Sequence, residues 1–252
     1  MIVEYHRPQT IDDALVLLGR ADPLTIPLAG GTALDRAAPE PLALVDLQAL
    51  GLNQIEKRGN VLEIGAMVPL QSLLVASISE ALSQVIELEA TNNLRQIATA
   101  GGTLVAANGR SPFTTALLAL DAMLSLLPGP QQLGLGDLLP FRSDSLRGRL
   151  MTHIAIPSNA RLAFETVARS PADQPIVCAA AAMWPSGRTR LVLGGYGKAP
   201  TLAFDGAETV GFEAAARSAY ALAGDEWASA EYREEVAGVL ATRCLEKLKM
   251  SG

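Results

Sequence analysis

Two short runs are the residues of this chain best suited to chemistry: Ala29-Gly30-Gly31-Thr32 and Ala100-Gly101-Gly102-Thr103. Adjacent glycines let a backbone take positive φ and come close to another group. Successive N–H groups in such a turn form a nest for an anion. Thr32 and Thr103 add a hydroxyl to each run. Two surface turns of this kind could hold the two phosphates of a dinucleotide pyrophosphate, mainly through backbone N–H groups. Neither run has the G-x-G-x-x-G spacing, and neither is followed by Gly-Lys-Ser/Thr, so the dinucleotide fingerprint and the P-loop are both excluded. One diglycine is usually a plain turn; its repetition in the same Ala-Gly-Gly-Thr context is the signal.

Other chemistry is thinly supplied. Cys178 and Cys244 are the only cysteines, too few for a disulfide framework or for an iron–sulfur cluster, which usually takes four. His6 and His153 are the only histidines, which makes a zinc site improbable and a Ser/His/Asp triad poorly supplied. A chain of 252 residues, 49% hydrophobic and 18% charged, is globular rather than disordered. A net charge of −6 opposes a general nucleic-acid binder, which needs a basic face. The longest charge-free stretch, 64–79, is broken by Gly65 and Pro69, so no membrane span is expected. Met1 to Arg7 lack the basic-then-apolar pattern of a secretory signal, and a cytoplasmic protein is expected.

The glycine runs must be placed by the elements around them. Ile2 to Tyr5 reads as a strand, and Thr10 as the N-cap of a helix whose apolar face is Ile11, Ala14, Leu15 and Leu18. Thr25 to Leu28 is a strand leading straight into the first run, and Ala43 to Leu47 is another. Gln54 to Arg58 and Val61 to Ala66 form a hairpin across Gly59-Asn60. Leu70 to Leu94 is helical, in two pieces, until the second run breaks the pattern. Ser111-Pro112 is N-cap and N1 of a helix through Ala122. Met123 to Leu127 and Leu150 to Ile156 are strands, with Asp137 to Phe141 a short connecting segment. Leu162 to Arg169, Ile176 to Trp184 and Thr189 to Leu193 are three further strands, followed by helices at Phe212 to Leu222 and Ala230 to Lys249. In the last helix Tyr232, Val236, Leu240 and Cys244 repeat every four residues.

Taken in order, these motifs resemble the FAD-binding (medium) subunit of the molybdenum hydroxylases, the carbon-monoxide-dehydrogenase and xanthine-dehydrogenase family. The resemblance covers nearly the whole chain: Tyr5-His6-Arg7-Pro8, Leu28 to Thr32, Leu44 to Leu47, Leu62 to Val68, Asn93 to Arg95, Ala98 to Leu104, Leu117 to Ala122, and Ser229 to Arg233. It implies an α+β, vanillyl-alcohol-oxidase-like (PCMH-type) FAD-binding fold of two α/β subdomains, about 1–52 and 53–157, and a small C-terminal antiparallel sheet-and-helix domain over 158–252. It implies FAD contacts at Leu28, Ala29, Gly30, Gly31, Thr32, Ala33 and Leu34, at Thr99, Ala100, Gly101, Gly102 and Thr103, and at Ala107, Ser111 and Leu150, with no catalytic residue and no metal ligand. It further implies an oxidoreductase heterotrimer, open to dimerisation. A molybdopterin-binding large subunit oxidises substrate, a small subunit relays electrons through [2Fe–2S] clusters, and FAD passes them to an external acceptor.

Several positions depart from the family pattern. Ala33 stands where an Asp is usual, Thr103 where an Asn is common, and Pro112 where a carboxylate helps hold the flavin. Phe164 to Ser170 lacks the Lys and the Arg-Arg pair that many relatives carry, the missing Lys falling near Thr166. Weaker FAD binding than is usual for the family follows. The alternative these losses leave open is a flavin-free docking subunit of the same complex.

Overall fold

The structure is a computed structural model that describes residues 1–34, 41–129, 131–171 and 173–250. In chain order the elements are β1 (Ile2–His6), α1 (Ile11–Leu18), β2 (Leu24–Leu28), β3 (Leu42–Asp46), β4 (Ile55–Arg58), β5 (Val61–Gly65), α2 (Leu70–Val75), α3 (Glu80–Glu89), α4 (Asn92–Arg95), α5 (Ala100–Ala106) and α6 (Pro112–Ala119). There follow β6 (Met123–Leu127), β7 (Gln131–Gly134), α7 (Leu135–Leu138), α8 (Arg142–Ser145), β8 (Leu150–Pro157), β9 (Arg161–Val167), β10 (Val177–Met183), β11 (Thr189–Gly194), β12 (Thr201–Gly206), α9 (Phe212–Tyr220) and α10 (Ala230–Met250). They form two compact units, neither of them one continuous stretch: 1–72, 92–106 and 123–155 make the first, and 73–91, 107–122 and 156–252 the second.

The first unit holds a three-stranded parallel sheet in the order β1-β3-β2. Its middle strand, Leu-Ala-Leu-Val-Asp, is buried at every position, the continuous run that a strand with two neighbours and two covered faces requires. Thr10 caps α1 by accepting from the Asp13 N–H at 3.2 Å. Ala14 and Leu18 then pack with Val45, Leu47, Leu52, Met67 and Leu150, and Ala29 closes that cluster from the glycine run. A five-stranded sheet in the order β4-β5-β8-β6-β7 completes the unit. Its hairpin turns at Gly59, where φ is +61°, a conformation a β-carbon would strain.

The second unit is built on an antiparallel sheet, β12-β11-β10-β9. β10, Val-Cys-Ala-Ala-Ala-Ala-Met, is buried over its first six positions. Val177, Ala179 and Ala181 face the core that α9 and α10 supply. Cys178, on the alternate face, meets Thr115 of α6 at 3.8 Å. Small side chains let helices cover both faces of one strand. Burial pushes the Cys178 thiol up to about 12 and the Cys244 thiol higher still, so both stay protonated as packing groups.

Four expectations need correction. The helical stretch from Leu70 comes as α2, α3 and α4 rather than two pieces, because Ser77 turns at φ +48° and Ser79 caps a new helix at the Leu82 N–H. β7 and β12 are edge strands without clean alternation, and the sequence reading missed both. Asp137 to Phe141 is helical, not a plain connection. On α10 the buried side is Arg233, Ala237, Leu240, Ala241, Cys244 and Leu248. Every fourth residue of a helix advances by about 40°, so a strict four-residue repeat slides off one face, and Tyr232 ends up 43% exposed.

Candidate functional site

The first glycine run is a true loop. Gly31 has φ +68°, and a β-carbon there would touch only the Leu28 side chain, at 3.4 Å. Gly31, Thr32 and Ala33 are exposed and Leu34 is half-buried. Among the described residues no acceptor is bonded to the N–H of Gly30, Gly31, Thr32 or Ala33. Four successive free donors, one on a left-handed glycine, are the elements from which an anion nest is made.

The second run is not a loop, and here the expectation of a surface turn is wrong. Ala100 to Ala106 is α5, Gly101 is buried, and Gly102 is half-buried. Its N–H groups are already committed. Ala100 donates to the Val68 carbonyl at 2.8 Å, Gly101 to Ala66 at 2.9 Å, and Thr103 to Thr99 at 2.8 Å. Gly102 donates to the Thr99 hydroxyl at 3.1 Å. At the far end Arg142 donates to the Leu104 carbonyl at 3.0 Å. A bound anion would therefore take its backbone donors from 30–33 and only surface from the second run.

The two runs nevertheless meet within the first unit. A β-carbon on Gly30 would overlap the Ile97 carbonyl, and one on Gly102 would lie 3.6 Å from the Ala29 side chain. A β-carbon on Gly101 would press into Ala66 at 2.8 Å. The first glycine of each pair thus serves close chain packing; a β-carbon on Gly102 would also crowd the Thr99 hydroxyl at 2.9 Å, whereas Gly31 has space but a left-handed φ. An FAD pyrophosphate fits this arrangement: free donors, a left-handed glycine, and a neighbouring glycine with no side chain in the way.

The remaining expected contacts are placed as follows. Leu28 ends β2, and Leu150 opens β8 in the core beneath Ala29. Thr99 is buried at the start of α5. Ala107 and Ser111 belong to the second unit. Ser111 is the N-cap of α6, accepting from the Thr114 N–H at 3.1 Å, and its hydroxyl donates to Glu89 at 2.8 Å. Glu89 was not foreseen. Its carboxylate also accepts from the Phe113 N–H at 2.9 Å, and burial raises its pKa against those two bonds. The only sequence signal was an acid closing an apolar helix before a Ser-Pro cap, which by itself says nothing of contact.

Tyr196 sits in the core of the second unit, edge-on to Tyr220 at 6.2 Å between ring centroids. The turn that carries it clips Gly109 on both sides: Gly109 donates to the Gly197 carbonyl at 3.0 Å and accepts from Gly195 at 2.7 Å. Asp121, at φ +56°, pairs with Arg188 at 2.9 Å and with Arg190. Both residues are accounted for by structure alone.

Comparison with known proteins completes the picture. Residues 1–159 match the family described as the FAD binding domain in molybdopterin dehydrogenase. The uncharacterized protein YgfM of Escherichia coli is 33% identical over 77% of this chain and 75% of its own length. The carbon monoxide dehydrogenase medium chain of Afipia carboxidovorans is 28% identical over 98% and 96% of the two chains. A crystal structure of the Cu,Mo-CO dehydrogenase superposes with a TM-score of 0.84 at 25% identity, covering 100% of this chain and 99% of that one. Free donors on one glycine run, a bare glycine beside them and these matches agree: the chain belongs to the family of FAD binding domains of molybdopterin dehydrogenases.

Proposed function

We propose that this chain is the FAD-carrying electron-transfer subunit of a molybdenum hydroxylase complex, taking electrons from a [2Fe–2S] subunit and handing them to an external acceptor. FAD supplies the redox chemistry, accepting electrons and releasing them. The chain's own part is to bind and orient. Gly30 to Ala33 offer four N–H groups to the pyrophosphate, the Thr32 hydroxyl donates beside them, and Gly102 leaves the approach open. The uncommitted donors of 30–33 carry this reading, and they disfavour the flavin-free alternative.

Partners follow from what the chain lacks. Two buried cysteines cannot ligate an iron–sulfur cluster, so an electron relay lies outside these residues. A molybdopterin-binding large subunit and a [2Fe–2S] small subunit, in a heterotrimer, fill those roles. The PCMH-type subdomains at about 1–52 and 53–157, the C-terminal domain at 158–252 and a cytoplasmic location complete the proposal. No helix among the described residues is long and apolar enough to cross a membrane.

Two measurements test it. The purified chain should absorb near about 450 nm from bound flavin, and should co-purify with molybdenum and iron–sulfur subunits when they are co-expressed. A colourless chain that fails to quench FAD fluorescence on titration removes the cofactor reading. Separate elution of the subunits at micromolar concentration removes the complex.

A further inference from the structure

We infer that the second unit carries an oxyanion-binding subsite, formed by Arg110 and Arg169 around Trp227, for the phosphate or carboxylate group of a small molecule. The guanidinium of Arg110 lies 4.3 Å from the centroid of the Trp227 ring, and that of Arg169 lies 4.9 Å from the same centroid. A cavity of about 330 Å³ opens there, walled by both arginines with Asp173, Gln174, Ile176 and Trp227. That volume is within the usual range of small-molecule sites.

The two arginines are held differently. Arg110 is pinned, its Nε donating to the Pro175 carbonyl at 2.9 Å and one Nη to that of Gln174 at 3.3 Å. Arg169 has no hydrogen-bond acceptor among the described residues and stacks on the indole. A guanidinium offers five donors in a planar fork that matches carboxylate and phosphate oxygens. Arg169 thus presents an unused fork in a cavity wall that also holds a second, fixed cation.

The aromatic floor is built in advance. Asp225 accepts from the N–H of Trp227 at 2.8 Å and of Ala228 at 3.2 Å, and from the Nη of Arg233 at 2.8 Å. Arg233 is fully buried and also donates to the carbonyls of Ala223 at 2.7 Å and Ile176 at 3.2 Å. One side chain therefore ties the tryptophan turn to the Ile176 wall. Arg233 pairs with Asp225, and among the described residues Asp173 is the one acid lining the cavity against two cations. A local positive excess in a chain of net charge −6 favours an anionic ligand. None of these residues belongs to the glycine runs, but Arg110 lies between the expected FAD contacts Ala107 and Ser111, so the titrations use flavin-free protein.

The chain has two tryptophans, Trp184 and Trp227, so Trp184→Phe makes Trp227 the sole indole reporter. Full-length W184F would be titrated with sodium phosphate and, separately, sodium malonate, with sodium chloride matched for ionic strength. A saturable change in emission with either anion is expected, and Arg169→Gln should weaken it by about tenfold or more, as loss of a charged hydrogen bond does. Saturation by phosphate alone assigns a phosphoryl ligand; by malonate alone, a carboxylate. A response no different from chloride, or equal affinity in the R169Q variant, overturns the subsite. Equilibrium dialysis of wild type and R169Q with radiolabelled phosphate and malonate gives the same decision should W184F fail to fold.

Discussion

Gly31→Val separates cofactor binding from folding. At φ +68° a β-branched residue is a steric outlier, and holding an L-residue in the left-handed region costs roughly 1–2 kcal/mol. Space is not the difficulty, because the position of a β-carbon is 3.4 Å from Leu28 and open otherwise. The fold loses little if the loop relaxes, since the N–H groups of 30–33 serve no described acceptor and the bond at stake is the long one from the Leu34 N–H to the Gly31 carbonyl at 3.4 Å. The stability loss is therefore capped near that conformational cost, about 2–8 °C in melting temperature for a chain of this size. Binding suffers more. A hydrogen bond to a charged acceptor contributes about 1.5–3 kcal/mol, and turning two N–H groups away from a pyrophosphate removes roughly 3–6 kcal/mol, about 10²- to 10⁴-fold in Kd. Thermal melts of apoprotein and FAD titration by fluorescence quenching read the two effects. Gly30→Ala is the contrasting control: its β-carbon overlaps the Ile97 carbonyl, so it should destabilise the chain with or without FAD. Wild-type affinity in Gly31→Val would refute the nest.

Three further expectations concern the second unit. Glu89 has its pKa raised by burial, so folding favours its protonated form. That contribution is complete below the unfolded carboxylate range and declines as pH rises through the folded pKa. The stability of wild type relative to Glu89→Gln should therefore fall in urea melts as pH rises above the ordinary carboxylate range, and a constant difference would exclude the linkage. Arg233→Met should cost about 3–5 kcal/mol, because it strips Asp225 and three carbonyls of a buried donor; a loss under about 1 kcal/mol in denaturant unfolding contradicts this. Native protein should give no reaction with a thiol reagent such as dithionitrobenzoate and two equivalents after denaturation, since Cys178 and Cys244 are buried with raised pKa values; rapid labelling of the native chain would show the burial to be wrong.

Strands and caps were the legible part of the fold. Thr10, Ser111 and the Gly59-Asn60 turn act locally, and each sits where its side chain or φ predicts. The second Ala-Gly-Gly-Thr was misread because glycine signals permission, not shape. Close packing against Ala66 and the bonds to Val68 and Thr99 decide for a helix there, and those partners are about thirty residues away in sequence or hidden in a hydroxyl's rotamer. For the same reason Glu89 could not be found: its contacts with Ser111 and Phe113 exist only after α3 and α6 pack. The site was half legible. Which residues meet was visible in the repeated motif, but which N–H groups remain free after folding was not.

The division of labour within each glycine pair bears on how this chain drifts over generations. Gly30 and Gly101 are fixed by the chain's own backbone and by Ala66, and would stay under purifying selection in a descendant that had abandoned its cofactor. Gly31 and Gly102 answer to different masters. The former is held by its left-handed turn and by any ligand that reads it, the latter only by the Thr99 hydroxyl at 2.9 Å from a would-be β-carbon. A lineage that lost FAD would first accumulate side chains at the second glycine of each pair, while the first persisted as a fossil of the fold.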